Sequence, residues 1–369
     1  MTTEEKDSRN RRRWMVRCLY PVYFLLFVSV SVEMGARALL DDVDSAATVL
    51  EKAFPRLLNS AVTGGVDSPL GVRLTPNQER TMHWGELTHT VRTNSLGFRG
   101  REPAPRVVGE YRILFLGDSM VFGHGLEEEQ TLPSQVETLG RETDPGVVVY
   151  NGAVSGMNTV QELAVAMQLL PVLQPDQVVL GYFVGNDPLA NTFCDVDENG
   201  RVTFSVEGGG RLRDELEEHL RPLLRSVAFR AIALRYYVPR LRYEWSGRQE
   251  VLDRSLELLL RLSDQCERAG AGFAVLVIYP RDGVAGGLRP VLSGSRRIGE
   301  QLLERLREVG IPVVDGGDIL GGDQDDGGFY FPNDGHLDSE GARVLATAAA
   351  DELLKPGRAG GRHRLELEK

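Results

Sequence analysis

The stretch ILFLGDSM, residues 113–120, places four apolar residues directly before Gly117, Asp118 and Ser119. A short apolar run that ends at a Gly, Asn or Pro is typical of a strand buried on both faces of a parallel sheet. Four more runs of this kind follow along the chain: Val147–Tyr150, Val178–Val184, Phe273–Tyr279 and Pro312–Val314. The sequence therefore predicts a central parallel sheet of about five strands.

Amphipathic segments alternate with these runs. Apolar residues at helical spacing mark four of them, at 158–172, 249–268, 295–309 and 338–354. Repeated strand–helix–strand units predict a doubly wound α/β domain, which we place at 106–355. Residues 190–247 break the rhythm and are predicted to be an insertion. Its acidic turn at 195–200 lacks the spacing of a calcium loop, so we expect a hairpin there.

Composition excludes several classes of protein. The chain has 369 residues, a net charge of −11 and 42% hydrophobic residues, which rules out wholesale disorder and disfavours nucleic-acid binding. Three cysteines are too few for a disulfide scaffold, and they lack the spacing of a structural zinc site. Cys194 and Cys266 are compatible either with one disulfide or with two buried thiols. No metal or nucleotide motif is present, so no cofactor is expected.

The N-terminus has the pattern of a membrane anchor. Arginines at 9, 11, 12, 13 and 17 precede the uncharged run Cys18–Val32, which Glu33 closes. We predict a basic cytoplasmic tail at 1–13 and a transmembrane signal anchor at 14–34. The positive-inside rule then places the rest of the chain outside the cytoplasm. A cleaved signal peptide, with a site at Ala36–Ala38, is the alternative and would make the protein secreted, whereas a buried core helix would not explain the arginines.

The segment at 41–105 is predicted to be a leader that packs on the domain. Helical spacing favours a helix over 44–61, which Pro55 would kink or divide. Residues 70–105 show no long apolar period. The Gly-rich tail at 356–369 is predicted to be disordered.

Polar residues follow several predicted strands where ligands bind in parallel sheets. A Ser hydroxyl needs a general base such as His, and a carboxylate orients that His. Backbone and amide N–H groups stabilise the negative charge of an acyl-transfer intermediate. The residue types present therefore favour acyl transfer. They lie in four stretches: Gly117–Met120, Asn151–Gly156, Gly185–Asp187 and Asn333–His336.

These stretches resemble the SGNH/GDSL-type serine esterases and acyltransferases. The matching segments, in the order of that family, are FLGDS (115–119), YNGAVSG (150–156), FVGND (183–187) and DGHLDSEG (334–341), and RTNSLGFRG (92–100) is similar to the membrane-anchored bacterial branch. The resemblance implies the SGNH hydrolase fold, a flavodoxin-like three-layer sandwich. It also implies Ser119 as nucleophile and His336 as base, with Ser119, Gly156 and Asn186 as oxyanion donors.

The catalytic acid departs from the usual pattern. The family has its acid three residues before the His, and Asn333 occupies that position here. Asp334 stands two residues before His336, an Asp-x-His arrangement similar to that of polysaccharide O-acetylation proteins in the wider superfamily. Side chains two residues apart lie on the same side of an extended chain. We therefore predict Asp334 as the acid, with Asn333 as a possible orienting residue.

Several nearby residues have two interpretations. Asp118 is either a helix N-cap or an orienting group, and His124 either lines the pocket or lies in a surface loop. The resemblance further suggests that Arg92, Asn94 and Arg99 fold back to order the Ser119 loop, while edge packing is the alternative. The remaining histidines are expected at the surface: His83, His89, His219 and His363.

Three functions are compatible with this pattern. The first is a deacetylase or lipase-like esterase that acts on an acetylated glycan or a lipid of the cell envelope. The second is an O-acyltransferase that modifies an envelope or exported polysaccharide. The third is a catalytically inactive glycan-binding module of the same fold. The sequence leaves acyl length and oligomeric state open.

Overall fold

A computed structural model describes most of the chain. The described residues are 3–40, 44–58, 74–84, 87–204, 206–233, 237–285, 294–321 and 328–353. The tail at 356–369, for which disorder is predicted, lies outside them, as does part of the predicted leader at 59–73.

Strands and helices alternate over most of the described chain. The strands are β1 Glu79–Trp84, β2 Leu87–Arg92, β3 Tyr111–Gly117, β4 Val147–Asn151, β5 Gln177–Phe183, β6 Cys194–Val196, β7 Val202–Phe204, β8 Gly272–Ile278 and β9 Val313–Asp315. The first seven helices are α1 Thr3–Leu39, α2 Ala46–Leu58, α3 Ser119–Phe122, α4 Leu132–Thr143, α5 Thr159–Leu173, α6 Asp187–Ala190 and α7 Val206–Leu220. The others are α8 Val227–Ile232, α9 Val238–Ser246, α10 Gln249–Ala269, α11 Arg281–Val284, α12 Ser295–Glu308, α13 Gly316–Leu320 and α14 Ser339–Leu353.

The central sheet has five parallel strands in the order β4-β3-β5-β8-β9. This is the flavodoxin-like order, and the predicted fold class is confirmed. Every residue of β3, β4 and β5 is buried, as continuous apolar runs predict. The chain changes direction across the sheet between β3 and β5, so their carboxyl ends flank the crevice where such sheets bind ligands.

Helices cover both faces of this sheet. Right-handed crossovers place α4 on one face and α5, α10 and α12 on the other. The contacts agree, because α14 packs on α4 whereas α10 packs on α5 and α12. Asn158 begins α5 by accepting hydrogen bonds from the backbone of Val160 and Gln161, which is an ordinary N-cap.

The predicted leader contains a hairpin that the sequence pattern did not reveal. Strands β1 and β2 pair antiparallel from Glu79↔Arg92 to Trp84↔Leu87. The expected helix is present as α2, and it runs undivided through Pro55. In the predicted insertion, β6 and β7 form the expected hairpin around the acidic turn. The boundaries of leader and insertion remain predictions.

The chain divides into two compact units. One combines 1–57 with 211–239, so it contains α1, α8 and most of α7. The other combines 58–210 with 240–369 and contains the central sheet. Within the described residues, Pro21–Leu39 of α1 is long and apolar enough to cross a membrane, with 19 residues and a mean hydropathy of 1.6. A signal sequence meets the same criterion.

Cys194 and Cys266 are two separate buried thiols and form no disulfide. Cys194 lies on β6 and Cys266 on α10. Burial raises the pKa of Cys194 to about 11 and that of Cys266 to about 12. Both therefore stay protonated at neutral pH and behave as small apolar side chains.

Candidate active site

Ser119 stands at the junction between strand β3 and a short helix. β3 ends at Gly117, and α3 begins at Ser119. The Asp118 side chain caps this helix by accepting the backbone N–H of Met120 at 2.9 Å. The Ser119 hydroxyl therefore lies at the carboxyl edge of the sheet, beside the crevice between β3 and β5.

His336 reaches Ser119 from a loop that precedes α14. The distance from His336 Nε2 to Ser119 Oγ is 2.8 Å. The His336 Nδ1–H donates to Asp334 Oδ1, which also accepts the His336 backbone N–H at 3.2 Å. A carboxylate on Nδ1 fixes the tautomer in which Nε2 accepts the Ser119 proton. Hydroxyl, imidazole and carboxylate thus form one hydrogen-bonded series.

A tight turn gives the loop this shape. Phe331 accepts hydrogen bonds from the backbone of Asp334 and Gly335, and its own N–H donates to the His336 carbonyl at 2.9 Å. Gly335 has a φ of +89°, which favours glycine. Asn333 is exposed on this turn, and Asp334 is the residue that faces the imidazole. The contact agrees with the predicted choice of Asp334, whose catalytic role remains a prediction.

Asp118 joins the ends of β3 and β5. Besides capping α3, its carboxylate accepts a hydrogen bond from Asn186 Nδ2 at 3.0 Å. Asn186 immediately precedes α6 and is buried, so its amide is held close to the nucleophile strand. Asp118 is therefore a helix N-cap, as one interpretation expected, and its role as an orienting group in catalysis remains a prediction. The amide nitrogen has a second N–H, which is the group expected to donate to an oxyanion.

The segment after β4 follows the same edge of the sheet. The N–H of Gly152 donates to the Phe115 carbonyl at 2.8 Å, and that of Val154 donates to Gly117 at 3.3 Å. The chain then turns at Gly156, where φ is +84°. Ser155 Oγ lies 3.5 Å from His124 Nδ1, so this turn borders the histidine side of the site. The structure thereby places Gly156 at the sheet edge that carries Ser119.

Two further carboxyl groups lie buried near Asp118. Burial raises the pKa of Asp118 to about 6, although Met120 N–H, His336 and Asn186 favour the charged form. Burial, followed by the charge of Asp118, raises the pKa of Glu162 on α5 well above its ordinary value. Burial also raises the pKa of Asp187, with Glu162 and Asp118 adding to the effect. Three carboxyl groups this close do not all ionise readily.

Glu162 was missed from sequence, although a signal was present. α5 is apolar on all sides and buried over most of its length. A helix of that kind lies inside the protein, so its one carboxylate must be buried with it. The Phe183 N–H donates to Asp187 Oδ2 at 2.7 Å, which ties this cluster to the end of β5.

Three histidines lie in a row at the site. The ring of His124 is 4.7 Å from that of His336 and 5.5 Å from that of His89, measured between centroids. His124 therefore belongs to the site. The surface position expected for His89 is wrong, because this residue of β2 is completely buried. Alternation along β2, with His89 and Val91 inward and Thr88 outward, was the available signal.

The two additional histidines are neutral at neutral pH. Burial is the main cause, and it lowers the pKa of His124 to about 4, with the nearby His336 and His89 acting in the same direction. Burial and the positive charge of Arg99 lower the pKa of His89. Neutral rings beside His336 add no charge that would oppose its protonation during catalysis.

Arg99 connects the leader to the Ser119 loop. Its guanidinium is buried and donates to the carbonyl oxygens of Phe122 at 3.0 Å, Gly123 at 2.8 Å and Leu126 at 2.6 Å. It also donates to Thr90 at 3.3 Å and pairs with Glu128 at 2.9 Å. The suggested fold-back thus holds for this residue.

The two other leader residues have different contacts. Arg92 is exposed and pairs with Glu79, and Asn94 caps the turn that contains Leu96 and Phe98. Among the hydrogen bonds of the described residues, neither of these side chains bonds to the Ser119 loop.

Comparison with known proteins gives structural similarity without sequence matches. No family model and no curated protein matches the chain. Similar solved structures include a GDSL-like lipase from Bacteroides thetaiotaomicron, with 12% identity over 67% of this chain and 90% of that one, at a TM-score of 0.37. A psychrotrophic esterase from Pseudoalteromonas sp. has 14% identity over 66% of this chain and 97% of that one, also at 0.37.

A carbohydrate acetylesterase from Sinorhizobium meliloti is similar to the same degree. It has 14% identity over 66% of this chain and 99% of its own, with a TM-score of 0.37. The descriptions of these three proteins name a lipase, an esterase and an acetylesterase. Identities and TM-scores this low do not carry an activity from them to this chain.

Proposed function

We propose that the chain is a serine-dependent ester hydrolase of the SGNH/GDSL type. The observation that carries the proposal is the series Ser119 Oγ, His336 Nε2–Nδ1 and Asp334 Oδ1 at the carboxyl edge of a parallel sheet. The series has the order nucleophile, base and acid, which acyl transfer through a serine requires.

The reaction follows from these contacts. Ser119 Oγ attacks the ester carbonyl while His336 Nε2 takes its proton, and Asp334 offsets the resulting imidazolium charge. The carbonyl oxygen becomes negative and is stabilised by N–H donors of Ser119, Gly156 and Asn186. His336 then protonates the departing alkoxide. Water, deprotonated by His336, releases the acid from Ser119 and restores the enzyme.

The substrate is proposed to be an acyl ester of the cell envelope, either an acetylated glycan or a lipid. Support comes from the candidate membrane span Pro21–Leu39 with its preceding arginines. In this proposal residues 14–34 anchor the chain, and the domain at 106–355 acts outside the cytoplasm. The leader at 41–105 packs on the domain, and the insertion at 190–247 extends it.

An ester panel tests the activity. The full chain in detergent is given p-nitrophenyl acetate, butyrate and octanoate, each with and without an acetyl-accepting polysaccharide. We expect hydrolysis, and Ser119→Ala should lower turnover by on the order of 10³ or more. A fluorophosphonate probe should label the wild-type chain and not this variant.

Three results would change the proposal. Labelling that persists in Ser119→Ala identifies another nucleophile. Acetyl transfer to the polysaccharide in preference to water identifies an O-acyltransferase. Inactivity towards every ester, with no labelling, supports a glycan-binding module.

A further inference from the structure

The segment from His219 to Tyr243, here called the arginine-rich segment, carries an excess of positive charge. It contains six arginines and no Asp or Glu, in a protein whose net charge is −11. Its other residues include Leu, Ile, Phe and Tyr. Basic and apolar residues in one segment, without acids, are typical of an element that lies on an anionic membrane surface.

The structure places part of this segment against α1. Glu33 accepts hydrogen bonds from Ser226 Oγ at 2.7 Å, Val227 N at 3.0 Å and Ala228 N at 3.2 Å. These groups form the beginning of α8, and both helices belong to the same compact unit. The N-terminus of α8 is thereby held beside Glu33 of α1.

Glu33 lies at the outer end of the apolar run of α1. Residues 14–32 would span about 28 Å as a helix, close to the ~30 Å hydrocarbon thickness of a bilayer. With the N-terminal arginines at the inner boundary, Glu33 lies at the outer boundary. The start of α8 then lies at the same depth, where lipid head groups meet the hydrocarbon.

Exposed side chains around this point suit that environment. Leu223 is 38% exposed and Ile232 is 49% exposed, and Arg221 and Arg225 are exposed between and beside them. Single exposed apolar residues are ordinary in a soluble protein. Here they indicate lipid contact because they lie next to the outer end of the candidate membrane span. Phe229 and Tyr237 pack edge to face at 5.1 Å, which adds aromatic surface of the type found at membrane boundaries.

We propose that the arginine-rich segment binds the outer surface of the bilayer, with the exposed Arg221 and Arg225 on anionic phospholipid head groups and Ile232 in the lipid. The occupant follows from charge complementarity and from the link to the anchor through Glu33. The proposal rests on the anchor at 14–34 and does not depend on the esterase activity.

A fluorescent label at residue 232 tests the contact. The full chain carrying Cys18→Ser and Ile232→Cys is labelled with an environment-sensitive dye, since Cys194 and Cys266 are buried. It is reconstituted into vesicles of phosphatidylcholine alone, or of phosphatidylcholine with phosphatidylglycerol. With the anionic lipid we expect a blue-shifted emission and quenching by lipids that carry a spin label near the head group.

Variants with reversed charge on the segment provide a second test of the lipid contact. Arg221→Glu with Arg225→Glu should weaken the contact, by about fivefold for each arginine that faces anionic lipid. The matched control is Arg268→Glu with Arg307→Glu, two exposed positions on α10 and α12 that should leave the emission unchanged. Circular dichroism checks that all variants are folded.

Two outcomes overturn the proposal. One is an emission typical of water in both vesicle types. The other is a blue shift that neither anionic lipid nor the Arg221/Arg225 reversal affects. Flotation of the vesicles after carbonate washing distinguishes a missing anchor from a segment that does not bind lipid. If the chain no longer floats with the vesicles, residues 14–34 do not anchor it. If the chain floats but the dye reports water, the anchor holds and the arginine-rich segment does not contact the bilayer.

Discussion

At the scale of single residues, the imidazole of His336 becomes positive when it takes the Ser119 proton. Asp334 lies on its Nδ1 side, while Asn333 is exposed. A carboxylate both fixes the tautomer and offsets the new charge, whereas an amide does only the first. We expect Asp334→Asn to lower turnover by on the order of 10²–10⁴ and Asn333→Ala to lower it by about tenfold or less, measured as kcat with p-nitrophenyl acetate.

The contrast between these variants decides the assignment. If Asn333→Ala were the more damaging change, the site would work as a Ser–His pair held by an amide. Retained melting temperature in both variants ensures that the comparison concerns catalysis.

A second residue-scale prediction concerns Glu162. Its pKa is raised in the folded protein, mainly by burial, so the folded state holds this proton at a pH where the unfolded chain releases it. The stability that results is present at low pH and lost as pH rises through the folded pKa. Glu162→Gln has no such loss. We expect its melting temperature to exceed that of wild type by a margin that grows from pH 4 to pH 8, where ~2 °C corresponds to about 1 kcal/mol.

The difference between variants is the informative measurement. His124, whose pKa is lowered to about 4, makes the wild type less stable as pH falls from 6.5 towards 4, which partly masks the carboxyl effect. Glu304→Gln, at an exposed position on α12, is the matched control for the change of Glu to Gln. A margin for Glu162→Gln that stays constant with pH would argue against the buried carboxyl cluster.

At the scale of elements, the turn after β2 supports the nucleophile helix through one side chain. Arg99 is 1% exposed, and its five N–H groups all have acceptors, three of them carbonyls at the end of α3 or just after it. Arg99→Met leaves those carbonyls and Glu128 without a donor, which costs about 3–5 kcal/mol. We expect a lower free energy of unfolding in urea and a lower kcat, because the Gly123 N–H bonds to the Ser119 carbonyl.

Arg92→Met is the matched control for this change. The Arg92–Glu79 pair is exposed, with 62% and 63% of the side chains accessible, so its loss should leave the free energy of unfolding almost unchanged. Arg99→Lys should restore little, because an ammonium does not reproduce the planar fork of a guanidinium. Equal losses in the Arg92 and Arg99 variants would show that Arg99 has no special role at the Ser119 loop.

The central sheet was predictable because its strands are buried on both faces. β3, β5 and β8 each contain a continuous apolar run, and such runs can be recognised without knowing which strands they pair with. β1 carries no such signal, since most of its described side chains are exposed and it is held by pairing with β2. Strands of that kind depend on a neighbour that the local sequence does not reveal.

The site was predictable to the extent that its residues follow strand ends. Ser119 and Asn186 follow β3 and β5, which topology brings together. His89 and Glu162 reach the site through long-range packing, from a hairpin and from the middle of a helix, so their roles needed the structure.

At the scale of the whole molecule, positive charge is concentrated in two short segments. Five arginines precede the apolar run that ends at Val32, and six lie at 219–243, although acids outnumber bases overall, 53 to 42. Only the first group lies close enough in sequence to the candidate span to set its orientation under the positive-inside rule. Topology therefore depends on the N-terminal arginines, while Arg221 and Arg225 of the second group are exposed.

The orientation can be measured on the full chain. A reporter that folds only outside the cytoplasm, such as alkaline phosphatase, should be active when fused after Lys369, and a reporter active only in the cytoplasm should be inactive there. Replacing Arg11, Arg12 and Arg13 by Glu removes charge from the inner side, so the fraction with the C-terminus outside should fall. Replacing Arg221, Arg225 and Arg230 by Glu should leave that fraction unchanged, because charges almost 200 residues along the chain from the span do not orient it, since the positive-inside rule counts only those within about 15–20 residues of its ends. Activity of the cytoplasmic reporter on the wild-type chain would place the catalytic domain inside the cell and overturn the proposed envelope substrate, while the serine chemistry of the site would stand.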